Sequence, residues 1–280
     1  MGLVAISVTS ARFSRTVNDF GARSDPPTHP ELLEWLTSEF VRSGWKLKPL
    51  HRLIMTSSVY LQDTTFDAAQ AKVDPDNRLL WRRRPQRIES EILRDSMLAV
   101  SGTLNPEMFG PAFKAPVAPE AIQARNMKDP YPKDLKDTPA TRRRSVYMFH
   151  KRVVQQPLMQ AFDGPDAQAS CGRRENTTVA PQALALLNDK FVRARATDFA
   201  QRVQTEAAAE PEAQVRFAWR LALGREPSAA EVSSGTAYLN AQIQKRSARE
   251  PGKPITAAQS LALADLCQAI FALNEFIYVD

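Results

Sequence analysis

Apolar residues recur at helical spacing through the first third of the chain. Leu32, Leu33, Leu36 and Phe40 share one stripe that Gly44 ends, and Leu50, Leu53, Ile54 and Val59 repeat the pattern around Pro49. Residues 26–61 therefore read as a helical hairpin. Thr28 with Glu31 gives a capping-box pattern, with Pro30 in the first turn. A polar link, Asp74-Pro75-Asp76-Asn77, leads to Arg82-Arg83-Arg84-Pro85. A further helix is expected over about 86–101, with Ile88, Ile92, Leu93 and Val100 on one side and Gly102 at its end. Periodicity then stops. Residues 103–141 hold seven prolines among Lys and Asp clusters and read as a long excursion over the surface. Ser145–His150 (Ser-Val-Tyr-Met-Phe-His) is the best strand candidate, without a convincing set of partner strands. Beyond a polar segment at 142–178, the last third is helical. Four helices are expected: 179–205 with Leu184, Leu186, Leu187 and Phe191; 211–223, ending at Gly224; one opened by the Ser228/Glu231 capping box and holding Val232 and Tyr238; and one from Thr256 through Leu261, Leu266 and Phe271 towards Tyr278. The short links between them imply antiparallel neighbours. The fold class expected is mainly α: a helical bundle with long Pro-rich surface loops and at most a minor β-strand pair near 145–150.

Composition narrows the function classes. With 280 residues, 43% of them hydrophobic and 24% charged, the chain can bury a sizeable core, and wholesale disorder is excluded. The net charge of +6 is modest and spread along the sequence, which argues against a nucleic-acid binder. No apolar run reaches the roughly 18 residues that a membrane span needs. Met1–Ser10 is apolar but short and lacks the basic start of a signal peptide, and Ile6 stands where myristoylation requires Ser or Thr. Cys171 and Cys267 are compatible with one disulfide or two thiols; spacing does not decide. The c-type haem motif Cys-x-x-Cys-His is absent, so no haem is expected on this chain.

Several ordered stretches carry a family resemblance. They are Asn18-Asp19-Phe20-Gly21, Pro26-Pro27-Thr28-His29-Pro30-Glu31-Leu32-Leu33, Leu50-His51-Arg52-Leu53-Ile54, Asp76-Asn77-Arg78-Leu79-Leu80-Trp81 and Glu91-Ile92-Leu93-Arg94-Asp95. The densest follows: Phe162-Asp163-x-Pro165-Asp166, Ser170-Cys171-x-Arg173-Arg174-x-Asn176-Thr177-Thr178 and Pro181-Gln182-Ala183-Leu184, with Asn274-Glu275-Phe276-x-Tyr278-Val279-Asp280 at the end. In this order they resemble the planctomycete domain-of-unknown-function family 1553. The resemblance implies one family-like domain over 18–280, within a large exported protein that often carries a cytochrome-c-like domain near its N-terminus. Residues 1–17 do not resemble the family, whose domain extends further upstream, so a truncated gene or a wrongly chosen start is expected. A periplasmic or extracellular setting follows from the resemblance alone, as does haem in an upstream domain. The family supplies no agreed reaction.

The segment 162–178 is the strongest site candidate. It gathers Asp163, Asp166, Cys171, Arg173, Arg174 and Asn176 without periodicity just before a helix, where backbone N–H groups and two guanidinium groups suit a phosphate, sulfate or carboxylate. Arg173 or Arg174 is expected to pair with Asp163 or Asp166. The competing reading is a helix cap at Thr178 with Arg–Asp pairs fixing a buried loop. Calcium would want an ordered ligand spacing that is absent. Cys171 beside two arginines has the setting of a reactive thiol, against a packed or bridged cysteine, and Cys267 reads as core. His29, His51 and His150 are scattered and predict no metal site. Arg82–Arg84 and Arg142–Arg144 are basic triplets, an anion patch or solvated helix ends paired with acids. No nucleophile, base and orienter set is legible. The expected role is a non-catalytic binding or interaction domain of a larger extracytoplasmic, cytochrome-linked assembly, with a protein partner or an upstream domain and a ligand that is anionic or a carbohydrate. The alternative is part of an active site completed by an upstream domain.

Overall fold

The computed structural model describes residues 25–117, 131–132, 134–152, 154, 156–165, 171, 174, 177, 180–252 and 254–279. They fall into two compact units. The first lies within residues 25–86 and takes in Cys171 and Arg174; the second comprises 87–165 and 177–279.

The first unit opens with helices α1, Pro30–Arg42, and α2, Leu47–Met55. Gly44 (φ +70°) and Trp45 (φ +62°) turn the chain between them through left-handed backbone. The expected capping box at Thr28 is not formed. The N-cap is His29, no side chain caps the helix, and the Thr28 hydroxyl lies 2.9 Å from His29 Nδ1. Pro30 at the first helical position makes that cap less necessary, because it removes one of the N–H groups a cap would satisfy. A short helix α3, Ala68–Val73, is capped by Asp67, which accepts from the backbone of Ala69 and Gln70.

The second unit begins at Arg87, the last residue of β1, Gln86–Arg87; β1 pairs with β2, Tyr278–Val279. Extended backbone here delays the next helix: α4 is Ser90–Val100 rather than 86–101. Its buried face carries Leu93, Met97 and Leu98, while Ile92 is exposed. The strand expected at 145–150 is instead a 3-10 turn, Ser145–Tyr147. Its β-favouring residues are overridden because Asp95 binds the Ser145 N–H (2.9 Å) and hydroxyl (2.7 Å), which tightens the turn. Only Met148 pairs laterally, with Phe113.

The excursion at 103–141 is irregular but less superficial than expected. Phe113, Ala115, Val117 and Tyr131 are buried, and Thr138 with Thr141 forms a capping box on the 3-10 helix Pro139–Arg142. A helix not foreseen, α5, Pro157–Ala161, interrupts the polar segment 142–178.

The remaining helices are α6, Ala180–Asn188; α7, Lys190–Glu206; α8, Pro211–Leu223; α9, Ala229–Arg249; α10, Ile255–Phe271; and α11, Asn274–Ile277. The one helix expected at 179–205 is two, because Asp189 turns its carboxylate onto the N–H groups of Phe191 and Val192 and restarts the spiral. Gly224 (φ +70°) ends α8 and the Ser228/Glu231 box opens α9, both as expected. Helices α7 and α10 pack along each other, with Phe199 stacked on Phe271 at 5.6 Å and Phe276 closing over Phe271 at 5.0 Å. Helix α9 approaches α8 at Gly235, where a Cβ would meet Val215 Cγ1 at 3.0 Å.

Candidate functional site around Asp163

Asp163 sits directly after α5, at φ +54°, a left-handed conformation that a non-glycine residue adopts at a cost. Gly164 follows, and no larger residue fits, since a Cβ there would lie 2.7 Å from the Met159 carbonyl oxygen. Three donor groups meet on the Asp163 carboxylate. Thr177 gives its backbone N–H (2.9 Å) and its hydroxyl (2.8 Å), and Arg87 gives Nη2 (2.7 Å). Arg87 also donates to the carbonyls of Thr177 (2.9 Å) and Phe162 (3.2 Å), and its guanidinium lies 5.3 Å from the Phe162 ring centroid. Gln182 on α6 donates to the Thr177 carbonyl at 3.0 Å. One buried guanidinium therefore locks the end of α5 and the approach to α6 at once. Burial raises the Asp163 pKa, but the Thr177 hydrogen bonds and Arg87 outweigh it, and the carboxyl titrates below its usual range.

Arg87 is thus a cation on Asp163, one that sequence reasoning did not single out. Of the other candidates, Cys171 is an exposed thiol, and it and Arg174 group with the first unit; Asp166, Arg173, Asn176 and Thr178 lie outside the described residues. Cys267 is a core thiol, as expected, its pKa pushed up by complete burial.

Arg87 belongs to a set of buried arginines that organise irregular chain. Arg94 on α4 donates to the carbonyls of Thr141 (2.8 Å) and Arg143 (3.0 Å) and to the Ser145 hydroxyl (3.1 Å). Arg195 on α7 is buried and pairs with Asp137 (2.5 Å) and Asp198 (2.8 Å). Arg143 binds the carbonyls of Glu107, Phe109 and Pro111 and lies over the Tyr147 ring. Arg142 pairs with Asp137 at 2.8 Å. In the second basic triplet, Arg142 and Arg143 are therefore parts of the fold. A detectable signal existed: Arg94 falls beside Leu93 and Met97, and Arg195 falls on the Val192–Ala196–Phe199 face, both core-facing positions in the helical pattern.

Beside Gly164 and Pro165 lies a cleft lined in part by Glu91, Tyr131, His150, Lys151 and Gln156. Its free volume is about 20 Å³, room for roughly one water rather than a substrate. The Tyr131 hydroxyl donates to the Ala115 carbonyl at 2.8 Å, and burial pushes its pKa up to about 12. Among the described residues, no three His, Cys, Asp or Glu side chains gather as a metal site, and no helix is long and apolar enough to cross a membrane.

Residues 10–239 match the family described as "Protein of unknown function (DUF1553)". The match takes in residues 10–17 and ends before the closing motif at 274–280. No curated protein and no solved structure matches the chain.

Proposed function

The chain belongs to the DUF1553 family of proteins of unknown function, and we propose that it serves as a non-catalytic binding or interaction domain within a larger extracytoplasmic, cytochrome-linked assembly that handles polysaccharide. The compartment and the cytochrome rest on the family resemblance, with any haem on a separate domain. The interaction rests on one observation. Helices α1 and α2 have an apolar stripe in sequence, yet between them they bury a single residue, Leu50. Trp35 is 47% exposed and Trp45 59%, and Val41, Leu53 and Met55 are exposed with them. An apolar surface of this extent on a helical hairpin marks a protein-contact site. The Asp163 clasp, in contrast, spends its carboxylate inside the fold.

The test is photo-crosslinking in the native host, with a photoreactive amino acid at position 35 or 55 and, as a control, at the exposed Glu212. The reading predicts a discrete crosslinked protein from positions 35 and 55 and none from 212. Equal crosslinking at all three positions, or none at 35 and 55, would remove it. The anion-site reading of Asp163, Asp166, Cys171, Arg173, Arg174 and Asn176 has its own test. Arg173→Ala and Arg174→Ala would abolish sulfate or phosphate binding with little change in Tm.

A further inference from the structure

Arg42, Arg87, Arg142, Arg195, Arg216 and Arg225 each form an ion pair, whereas among the described residues Arg52 and Arg143, and with them the consecutive Arg82, Arg83 and Arg84, form none. The acids near them in sequence are turned elsewhere. Asp63 accepts from the Thr65 N–H (3.1 Å) and hydroxyl (2.8 Å), Asp67 caps α3, and Asp74 accepts the N–H groups of Arg78 (2.9 Å) and Leu79 (2.7 Å). Three consecutive guanidinium groups thus lack a direct ion pair among the described residues, although Asp74 lies within the field of Arg84, which helps to hold its carboxyl below the usual range.

The arginines are also held in place. Arg82 lies 5.1 Å from the Phe66 ring centroid and 5.0 Å from that of Trp81, and Arg83 lies 5.0 Å from Tyr60. The loop carrying them is closed on itself. Trp81 Nε1 donates to the Asp74 carbonyl at 2.9 Å, and the Asn77 amide donates to the Arg82 carbonyl at 2.7 Å. Asn77 (φ +52°) and Leu80 (φ +58°) both occupy left-handed backbone, and for Leu80 that conformation is strained. Strain maintained in a loop that presents three guanidinium groups is a mark of a binding surface.

We propose that Arg82, set on Phe66 and Trp81, Arg83, set on Tyr60, and the exposed Arg84 bind the closely spaced sulfate or carboxylate groups of an anionic polysaccharide. Guanidinium groups recognise such oxyanions through paired N–H donors. Phe66, 61% exposed, adds an apolar ring face for the C–H side of a sugar. Single-stranded nucleic acid fits less well, because stacking along a strand needs several open rings, and Arg82 and Arg83 already lie over Trp81 and Tyr60. These residues are separate from the apolar face of α1 and α2, so the inference stands or falls apart from the proposed interaction role.

Binding of the purified full chain to heparin (sulfated), polygalacturonate (carboxylated), neutral dextran and a single-stranded DNA oligonucleotide tests it. Salt-sensitive binding to heparin or polygalacturonate is expected, with at least a tenfold loss in Arg83→Ala/Arg84→Ala and no loss in Arg216→Ala. Arg82 stays in its aromatic setting in the double variant. Should the double variant fail to fold, the exposed Arg84→Ala alone is expected to weaken binding severalfold. Unchanged binding in the folded variants, binding to neither anionic polysaccharide, or equally tight binding of the DNA would overturn the proposal.

Discussion

Thr177 closes on Asp163 across fourteen positions of sequence, giving the carboxylate both its backbone N–H and its hydroxyl. The carboxylate is charged and partly enclosed, so an amide in its place loses the pairing with Arg87 and leaves that guanidinium less satisfied. Asp163→Asn is expected to destabilise the protein by about 1–3 kcal/mol at neutral pH. The pH dependence has a definite sign. The folded pKa is depressed, so the stabilisation is fully present above the ordinary aspartate range, near pH 4, and is lost as pH falls through the lower folded value. Urea unfolding of both proteins should give a difference that is constant from pH 7 to about pH 5 and narrows in acid. A difference that widens in acid would show that Asp163 is not charged in the folded state.

Gly164 offers a sharper steric test. A methyl group there would meet the Met159 carbonyl oxygen at 2.7 Å, backbone that cannot rotate aside. Gly164→Ala should cost about 1–3 kcal/mol and lower Tm accordingly. Gly224→Ala, which meets no atom within 4 Å, suffers only the strain of its positive φ and should cost less.

The contrast between the legible and illegible parts of this fold follows from the range of the interactions. Gly224 and the Ser228/Glu231 box act within one helical turn, and the sequence alone locates them. The break at Asp189 does not show in the periodicity, because the apolar period runs through it and only the cap reveals the restart. Ser145–His150 reads as a strand, but Asp95, fifty residues from Ser145, sets the conformation and Ser145–Tyr147 is a 3-10 turn. The clasp at Asp163 is similar: the carboxylate was recognisable, but Arg87, 76 residues distant, was not, since nothing local marks it as a partner. Burial of arginine is what the pattern underweights. A charged residue on a core-facing position reads as noise until the carbonyls it binds are seen.

The two thiols should react in different ways. Cys171 is exposed, whereas Cys267 is enclosed by α10 and its neighbours, with burial pushing its pKa up. Iodoacetamide at pH 8 should label one thiol in the native protein and two in denaturant, and peptide mapping should place the native label on Cys171. Native labelling at Cys267 would mean that the α7–α10 core opens on the labelling timescale.

Arg195 gives the most demanding prediction, because it connects the helical core to irregular chain. Its guanidinium lies 5.5 Å from the Phe191 ring, with Arg94 on the same ring at 5.2 Å, and it pairs with Asp198 on α7 and with Asp137 in the Pro-rich region. Replacing it by Met removes a buried charge but leaves two carboxylates short of a partner. Asp137 retains Arg142; among the described residues, Asp198 forms no second ion pair. The expected loss is about 3–5 kcal/mol, as for breaking one side of a buried ion pair. Asp137→Asn alone should cost less, because Arg195 keeps Asp198. The double variant Arg195→Met/Asp137→Asn should cost less than the two single losses added together, with a coupling of about 1 kcal/mol or more. Hydrogen exchange locates the effect. Amides of Thr141, Tyr147 and Met148, all bonded within this irregular stretch, should exchange faster in Arg195→Met, while those in the middle of α9 change only by the global loss. Additive losses with uniform exchange would show that Arg195 stabilises α7 alone and that the Pro-rich region is held by Arg94 and Arg143.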